Sequence, residues 1–194
     1  MYTHFLKRLF DLIIAFLVLL ILSPLLIICV ILIKIDSHGP VFFFQDRVGL
    51  NGQIFKIFKL RTMTNKVHTN KHEIFSNNAE ITRIGGFLRK YKVDELPQLI
   101  NVLKGDLALI GPRPLLIETN DELGDLALRR QKVRPGLSGW AQVNGNIHIS
   151  REERIKLDLY YIDHLTFIMD FRILLKTILV IFRGEEKFVR KENG

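Results

Sequence analysis

Cysteine and tryptophan are nearly absent from this sequence of 194 residues, which contains one of each, Cys29 and Trp140. A single cysteine cannot form an internal disulfide, so the class of small, disulfide-stabilised secreted domains is excluded. Hydrophobic residues make up 48% of the chain and charged residues 25%, which excludes a disordered or collagen-like protein. The length is that of about one domain with its own core.

Several motifs that mark common enzyme classes are also missing. The sequence has no glycine-rich phosphate-binding loop, no serine-hydrolase nucleophile elbow and no spacing of histidine or cysteine typical of zinc sites. Positive charge, in contrast, is in excess, with 28 lysine and arginine residues against 20 aspartate and glutamate residues and a net charge of +8. This balance indicates an anionic partner: nucleic acid, lipid headgroups or a phosphorylated substrate.

The most apolar segment is residues 12–33, a run of 22 residues without a charge. A helix of that length reaches across roughly 30 Å of hydrocarbon, and no signal-peptide cleavage site follows it. We therefore expect residues 1–36 to form a retained membrane helix. Pro24 offers no N–H to the Leu20 carbonyl, so Ser23-Pro24 is expected to break or kink the helix, with the Ser23 hydroxyl bonding to a freed carbonyl.

Basic residues flank this segment on both sides, with Lys7 and Arg8 before it and Lys34 and Arg47 after it. Because basic flanks prefer the cytoplasmic side of a membrane, both ends are expected there. A broken, re-entrant helix that enters and leaves the same leaflet satisfies both flanks. A kinked single span is the alternative, and the charge pattern leaves both interpretations open.

The remainder of the chain, residues 37–194, is expected to form one largely helical α+β domain. Two β-prone runs, 41–44 and 54–58, enclose a turn containing Asn51-Gly52 and predict a small hairpin. The polar residues 62–80 predict a surface loop. Apolar periodicity and helix signals predict helices over 84–91, 96–103 and 118–134 and from Ser150 onward.

The last apolar stretch, residues 165–182, is interrupted by Asp170, Arg172 and Lys176, too many charges for a comfortable membrane span. Arg172, Lys176 and Arg183 share one helical face beside a broad apolar face, which is typical of a helix lying in the interface of an anionic leaflet. A core helix with one wet face is the alternative.

The segment with the most chemical information contains the adjacent acids Asp94 and Glu95. Asp94 precedes an apolar-periodic run with Pro97 in its first turn, so it is placed to be a helix N-cap. The positive end of a helix keeps a carboxylate ionised and attracts phosphate, so Asp94 is a candidate nucleophile and Glu95 a candidate ligand for a divalent cation. By spacing alone, the commoner interpretation is a cap followed by a first-turn acid.

A second cluster is the turn Gly111-Pro112-Arg113-Pro114. The two prolines keep Arg113 out of helix interiors and sheet ladders, so its guanidinium is presented from a stiff turn as a bidentate phosphate ligand. A rigid surface corner is the alternative. Lys59 and Arg89 supply further basic groups, each of which alone is typical of a solvated charge.

Taken in order along nearly the whole chain, these segments resemble the bacterial sugar transferase family, the monotopic polyprenyl-phosphate phosphoglycosyl transferases. The motifs that carry the resemblance are Lys7-Arg8, Ser23-Pro24, Gln45-Asp46-Arg47-Val48-Gly49, Phe58-Lys59-Leu60-Arg61-Thr62-Met63, Leu88-Arg89, Asp94-Glu95-Leu96-Pro97-Gln98-Leu99, Asn101-Val102-Leu103-Lys104-Gly105-Asp106, Gly111-Pro112-Arg113-Pro114, Arg134-Pro135-Gly136 and Gly139-Trp140-Ala141-Gln142-Val143-Asn144-Gly145. So many matches in one order are poorly explained by chance.

The resemblance implies a membrane helix broken at Ser23-Pro24 and a catalytic domain on the cytoplasmic face of the bacterial inner membrane. It also implies that Asp94 attacks the β-phosphate of a UDP-sugar and releases UMP. Polyprenyl phosphate, expected to be undecaprenyl phosphate, then takes the phosphosugar from the enzyme and becomes a lipid diphosphosugar. This reaction would be the first membrane step of glycoconjugate or polysaccharide assembly.

The same resemblance assigns roles to the other site residues. Glu95, together with Asp94, would hold Mg²⁺, and Arg89 and Arg113 would grip substrate phosphate. Lys59 matches a further position near the phosphates. Asp170 also matches a family position near the site, with a supporting role.

Two positions depart from the family pattern. Leu107-Ala108 stands where Met-Ser is usual, and Asn146 replaces a frequent arginine after Asn-Gly. Both leave the identity of the sugar open. A membrane-anchored nucleic-acid-binding module is one rival, but the sequence lacks a recognisable reading helix or stacking platform, so we expect no nucleic-acid partner. A non-catalytic scaffold is the other, against which the intact Asp94-Glu95 and Arg113 argue.

Overall fold

A computed structural model of the chain describes residues 2–64 and 80–189. This part of the protein is mainly helical with two small two-stranded sheets, which confirms the predicted α+β class. Its α-helices are α1 (Lys7–Asp36), α2 (Arg83–Lys90), α3 (Gln98–Lys104), α4 (Ile117–Asp121), α5 (Asp125–Arg130), α6 (Arg151–Asp163) and α7 (Phe167–Arg183). Its strands are β1 (Phe42–Val48), β2 (Ile54–Leu60), β3 (Ala108–Ile110) and β4 (Gly136–Ser138). Most of the predicted surface loop, residues 65–79, lies outside the described residues.

The apolar N-terminal helix α1 contains 30 residues, and Pro24 lies inside it. By length and composition α1 could cross a membrane. Helical secondary structure continues through Ser23-Pro24, so the helix is not interrupted there, and the kink that the sequence predicts as the alternative stays a prediction. The physical reason is the predicted local compensation, which is confirmed: the Ser23 hydroxyl donates to the Leu20 carbonyl at 2.8 Å, the acceptor that Pro24 leaves without its helical donor.

Both ends of α1 pack against the rest of the protein. Near its start, the Leu109 amide donates to the Asp11 carboxylate at 3.2 Å, and near its end the Ile84 amide donates to the Asp36 carboxylate at 3.1 Å. The buried residues of α1 fall in the same two regions: Lys7, Asp11, Ala15, Cys29 and Ile33. Between them, large apolar side chains are exposed at Phe16, Leu17, Leu20, Ile21, Leu25, Ile27 and Ile28. The helix is therefore attached at two ends and leaves an apolar middle uncovered.

Strands β1 and β2 form the predicted antiparallel hairpin, with longer strands than the sequence indicated and Val48 opposite Ile54. The connecting turn holds Asn51 and Gly52 at φ of 54° and 77°. Asn-Gly adopts these left-handed conformations at low cost, which explains why the chain reverses here. Strand β2 carries Lys59 towards the acidic pair described below.

The parallel strands β3 and β4 lie inside the core, with Ala108 opposite Gly136. A Cβ on Gly136 would collide with the backbone of Gly111, so only glycine allows this close approach. The main buried cluster around these strands contains Ala15, Leu99, Val102, Leu107, Leu109, Ile110, Val143, Tyr161, Met169, Ile173 and Val180. Because residues of α1, α3, α6 and α7 share this core, it holds α1 and the rest of the protein together.

The prediction of one continuous helix over residues 118–134 was wrong. The structure has two short helices there, α4 and α5, separated at Gly124, which has φ of 54° and ψ of −127°. This conformation cannot continue a right-handed helix and suits glycine. The break turns α5 so that Arg130 points into the interior, where it is 7% exposed.

Helices α6 and α7 begin at side-chain N-caps. Ser150 accepts a hydrogen bond from the Glu153 amide, as expected for a helix starting there, and Thr166 accepts one from the Met169 amide. Helix α7 buries one side and exposes large apolar residues on the other: Phe167, Ile168, Phe171, Leu175, Ile178, Leu179 and Phe182. The predicted basic stripe is incomplete, because Lys176 is half-buried, donates to Asn144 at 2.9 Å and lies over the Trp140 ring.

Candidate active site

The acidic pair Asp94-Glu95 lies in a single 3-10 turn, Val93–Glu95, between α2 and α3. The predicted role of Asp94 as a helix N-cap was wrong, because α3 begins only at Gln98 and its N-cap position is Pro97. Proline pre-sets the backbone for a helix start and needs no N–H there, so the chain uses it without a side-chain cap. The two carboxylates consequently project from a tight turn rather than from the first turn of a long helix.

Glu95 is held by two cationic side chains from distant segments. Lys59 on β2 places its Nζ 2.7 Å from Glu95 Oε1, and Arg113 places its Nη2 3.0 Å from the same oxygen. Burial alone would raise the pKa of Glu95, but the charges of Arg113 and Lys59 outweigh burial and hold that pKa well below its usual value. Glu95 is therefore a carboxylate fixed in its ionised form.

Asp94 is 7% exposed, and its surroundings act on it in the opposite direction. Burial raises the pKa of Asp94, and the neighbouring Glu95 carboxylate raises it further. The positive charges of Lys59, Lys92 and Arg89 oppose this shift without cancelling it. The helix end that was expected to act on Asp94 is absent at this residue, because α3 begins only at Gln98. Two adjacent acids with opposite shifts are typical of functional sites.

Arg89 lies in the last turn of α2, where its Nε donates to the Thr62 hydroxyl at 2.8 Å. The segment around Thr62 is brought close by Gly85, where an added Cβ would collide with the Thr62 backbone. Arg89 is near enough to Asp94 for its charge to lower the pKa of that residue. It therefore adds positive charge to the side of the site that faces α2.

Arg113 is fixed through its backbone as well as its side chain. The Arg113 carbonyl accepts a hydrogen bond from Arg130 Nη2 at 2.9 Å, and Arg130 also donates to the Asp158 carboxylate from Nη2 at 2.7 Å and from Nε at 3.2 Å. Arg130 and Asp158 are 28 residues apart on different helices, so no sequence spacing indicated this buried pair. The Arg130–Asp158 pair fixes the turn around Arg113 to the protein core.

Asp170, which the family resemblance placed near the site, makes its described contacts away from the acidic pair. It lies at the start of α7 and accepts hydrogen bonds from Tyr2 at 2.6 Å, Lys7 at 2.6 Å and Tyr161 at 2.7 Å. These contacts attach α7 and α6 to the beginning of α1. The described contacts of Asp170 thus join α7 to the start of α1, and none of them joins Asp170 to the acidic pair.

The structure brings together most of the residues selected from the sequence. Lys59, Glu95 and Arg113 are in direct contact, Asp94 follows Lys92 on the adjoining turn, and Arg89 contributes its charge. Ser23 and Pro24 belong to α1 and Asp170 to its junction with α7. Such an arrangement, a buried acidic pair enclosed by cations beside an apolar helix, is typical of enzymes that act on phosphorylated substrates.

The comparisons with known proteins agree with this class. Residues 2–184 match the bacterial sugar transferase family, and the chain belongs to that family. It is similar to the uncharacterized sugar transferase EpsL of Bacillus subtilis (strain 168), with 41% identity over 93% of this chain and 89% of that protein. The family resemblance of the motifs is thereby confirmed.

Two further relatives are longer proteins. The UDP-N-acetylgalactosamine-undecaprenyl-phosphate N-acetylgalactosaminephosphotransferase of Aeromonas hydrophila is 40% identical over 93% of this chain and 44% of that protein. The UDP-glucose:undecaprenyl-phosphate glucose-1-phosphate transferase of Escherichia coli (strain K12) is 38% identical over 96% of this chain and 41% of that protein. This chain spans less than half the length of these two, and they are named for different sugars.

Proposed function

We propose that the protein transfers a sugar phosphate from a UDP-sugar to undecaprenyl phosphate, with release of UMP. The observation that carries the proposal is the Asp94-Glu95 turn. Lys59 and Arg113 bind the Glu95 carboxylate, and burial beside Glu95 raises the pKa of Asp94. The names of the Aeromonas and Escherichia relatives support the same class of donor and acceptor. The identity of the sugar is left to experiment, because the relatives differ in it.

The reaction that we propose has two steps with one covalent intermediate. An oxygen of the ionised Asp94 carboxylate attacks the β-phosphorus of the UDP-sugar, a new O–P bond forms, and the bond from that phosphorus to the bridging oxygen breaks. The electron pair leaves with the bridging oxygen as UMP. An oxygen of undecaprenyl phosphate then attacks the same phosphorus, and Asp94 is released as a carboxylate.

The surrounding side chains lower the electrostatic cost of this chemistry. A carboxylate and a diphosphate repel each other, so the positive charges of Arg113, Arg89 and Lys59 are needed where charge develops. Glu95 keeps Arg113 and Lys59 in position before substrate binds. Among the described residues, no hydrogen bond to the Asp94 carboxylate is found, which leaves its oxygens available for attack.

The acidic pair also fits Mg²⁺, which is usually bound through one or two carboxylates together with substrate phosphates and water. In the described part of the chain, no group of three or more potential metal-ligating side chains occurs. Asp94 and Glu95 would therefore supply the protein ligands and the diphosphate the others. When bound, Mg²⁺ neutralises phosphate charge; the protein residues orient the phosphates and the attacking carboxylate.

We further propose a monotopic arrangement, with the domain on the cytoplasmic side and α1 bent at Pro24 so that it enters and leaves one leaflet. Its support is that both ends of α1 pack on the same domain while its apolar middle is uncovered. A straight helix of this length extends roughly 45 Å, so a span across the bilayer would separate the two ends. The exposed apolar side of α7 supplies a second surface for the same leaflet.

The proposed transfer is tested by UMP release. Purified full-length protein in lipid nanodiscs is incubated with Mg²⁺, undecaprenyl phosphate and one UDP-sugar at a time from a panel. We expect UMP and a lipid diphosphosugar with one or a few of these sugars, and none with undecaprenol, which lacks the phosphate. Chelation of the metal is expected to stop turnover. A protein that releases no UMP with any sugar in the panel contradicts the proposal and favours a scaffold.

The proposed topology is tested by cysteine labelling. Cys29 is changed to alanine, and single cysteines are placed at residue 3 and at the exposed Lys132 of the domain. An impermeant thiol reagent added to intact spheroplasts is expected to label neither position, and permeabilised cells should label both. Labelling of residue 3 in intact spheroplasts contradicts the re-entrant arrangement, because it places the two ends of α1 on opposite sides.

A further inference from the structure

The backbone immediately before the acidic pair has an uncommon conformation. Lys92 is left-handed, with φ of 57° and ψ of 19°, and it joins the end of α2 to the Val93–Glu95 turn. A residue with a side chain adopts this region at an energetic cost unless the surroundings hold it there. The direction in which Asp94 projects depends on this residue, because the turn follows it directly.

The side chain of Lys92 is held by the C-terminal end of the described chain. After α7, Gly184 turns the chain at φ of 87°, and a short 3-10 helix, Glu185–Phe188, follows. Lys92 Nζ lies 2.6 Å from Glu185 Oε1 and forms an ion pair with it. The Glu185 side chain is 11% exposed and the Lys92 side chain 38%, so the pair is buried on the Glu185 side and open to solvent on the Lys92 side.

A third residue completes the contact. Asn146 is 5% exposed, and its Nδ2 donates to the same Oε1 of Glu185 at 2.9 Å. Glu185 Oε1 is thus shared between the Lys92 ammonium group and the Asn146 amide.

We propose that Glu185 is a positioning residue that fixes the Asp94-Glu95 turn by holding Lys92 in its left-handed conformation. The expected effect of Glu185 on the catalytic rate rests on the proposed phosphosugar transfer. Its expected effect on the conformation of the turn rests only on the contacts in the structure. Glu185 does not touch the acidic pair. It acts through Lys92, whose backbone sets where the nucleophile lies.

The test separates backbone conformation from charge by comparing two substitutions of Lys92. Lys92→Ala and Lys92→Gly both remove the ammonium group, but only glycine adopts positive φ without strain. We expect Lys92→Ala and Glu185→Ala each to lower kcat about tenfold or more, because small displacements of a reacting group cost large factors in rate. Lys92→Gly also removes a charge that acts on Asp94, so its kcat is expected to fall below that of the unchanged protein but to stay about threefold or more above that of Lys92→Ala, with KM for the UDP-sugar nearly constant in all variants.

The double variant Glu185→Ala with Lys92→Gly is the decisive one. If Glu185 acts by holding the backbone, its loss should have no further effect once residue 92 is glycine. Glu186→Ala is the matched control, because Glu186 lies on the same 3-10 helix with a side chain that is 68% exposed; its activity should be unchanged. Equal losses in Lys92→Gly and Lys92→Ala would overturn the proposal and assign the role to the ammonium charge.

Hydrogen exchange of the peptide covering residues 89–97 gives a readout that does not depend on activity. We expect faster exchange in Glu185→Ala and a return towards the original rate in the double variant. Unchanged exchange in Glu185→Ala overturns the proposal even if activity falls. Absence of UMP release by the unchanged protein would instead defeat the proposed function, while the exchange comparison would still test the contact between Glu185 and Lys92.

Discussion

Replacing Asp94 by asparagine is expected to abolish both turnover and the covalent intermediate. Asparagine has nearly the same volume, so the turn and its packing are kept, and removing one of two adjacent acids relieves their repulsion. The amide, however, cannot act as an anionic nucleophile. Loss of a nucleophile in a group-transfer enzyme lowers kcat by several orders of magnitude, so we expect a decrease of about 10³-fold or more.

The measurement combines kinetics with mass spectrometry. The unchanged protein, mixed with its UDP-sugar and Mg²⁺ but without lipid, should release UMP in an amount equal to the enzyme and gain the mass of one phosphosugar, which peptide mapping should place on Asp94. Steady-state kinetics should be ping-pong. If UMP appears only when undecaprenyl phosphate is present and no adduct forms under any quench, the lipid attacks directly and Asp94 has another role.

Glu95→Gln is the matched control for this substitution. Glutamine keeps the shape of Glu95 but loses the charge that holds Lys59 and Arg113. We expect a weakened dependence on Mg²⁺ and a slow, residual adduct on Asp94. A variant that forms the adduct at the original rate would show that Glu95 has no part in the first step.

The second large effect concerns stability. Arg130→Met leaves the Asp158 carboxylate buried without its cation, and breaking a buried ion pair on one side costs about 3–5 kcal/mol. For a chain of this size we expect the midpoint of thermal unfolding to fall by about 10 °C. The measurement is a thermal scan of the detergent-solubilised protein, monitored by intrinsic fluorescence.

The neighbouring residue offers a matched control. Arg129 pairs with Asp163 at 3.0 Å, again between α5 and α6, but both side chains are about half exposed. Arg129→Met should therefore cost less than about 1 kcal/mol. Adding Asp158→Leu to Arg130→Met removes the uncompensated charge and should recover part of the lost stability. Equal effects at Arg129 and Arg130 would contradict the role of burial.

Elements that depend on local chemistry could be predicted from the sequence. The Asn51-Gly52 turn indicated the hairpin, Ser150 indicated the start of α6, and the Ser23 hydroxyl was expected to bond near Pro24 because its neighbours in sequence are its neighbours in space. The two wrong predictions, an N-cap at Asp94 and a continuous helix through Gly124, also have local causes. Pro97 starts α3 in place of Asp94, and the positive φ of Gly124 interrupts the helical pattern.

Contacts between residues far apart in the sequence could not be predicted from local sequence patterns. Lys59, Glu95 and Arg113 were selected one by one, and only the fold shows that both cations meet one oxygen of Glu95. Glu185 was not selected at all, because nothing near it in sequence points to Lys92. Asp170 was selected through the family pattern alone, and that pattern carries no information about whether a residue serves the acidic pair or a helix junction.

The position of Asp170 has a consequence for how the chain is made. Its partners Tyr2 and Lys7 precede it by 168 and 163 residues. At about 5–20 residues per second, a ribosome needs on the order of 10–30 s to synthesise the interval. During that time the N-terminal helix is already apolar enough to enter the bilayer, but its docking partner does not yet exist. Final seating of this helix is therefore a late event of biosynthesis, completed only when α7 has left the ribosome.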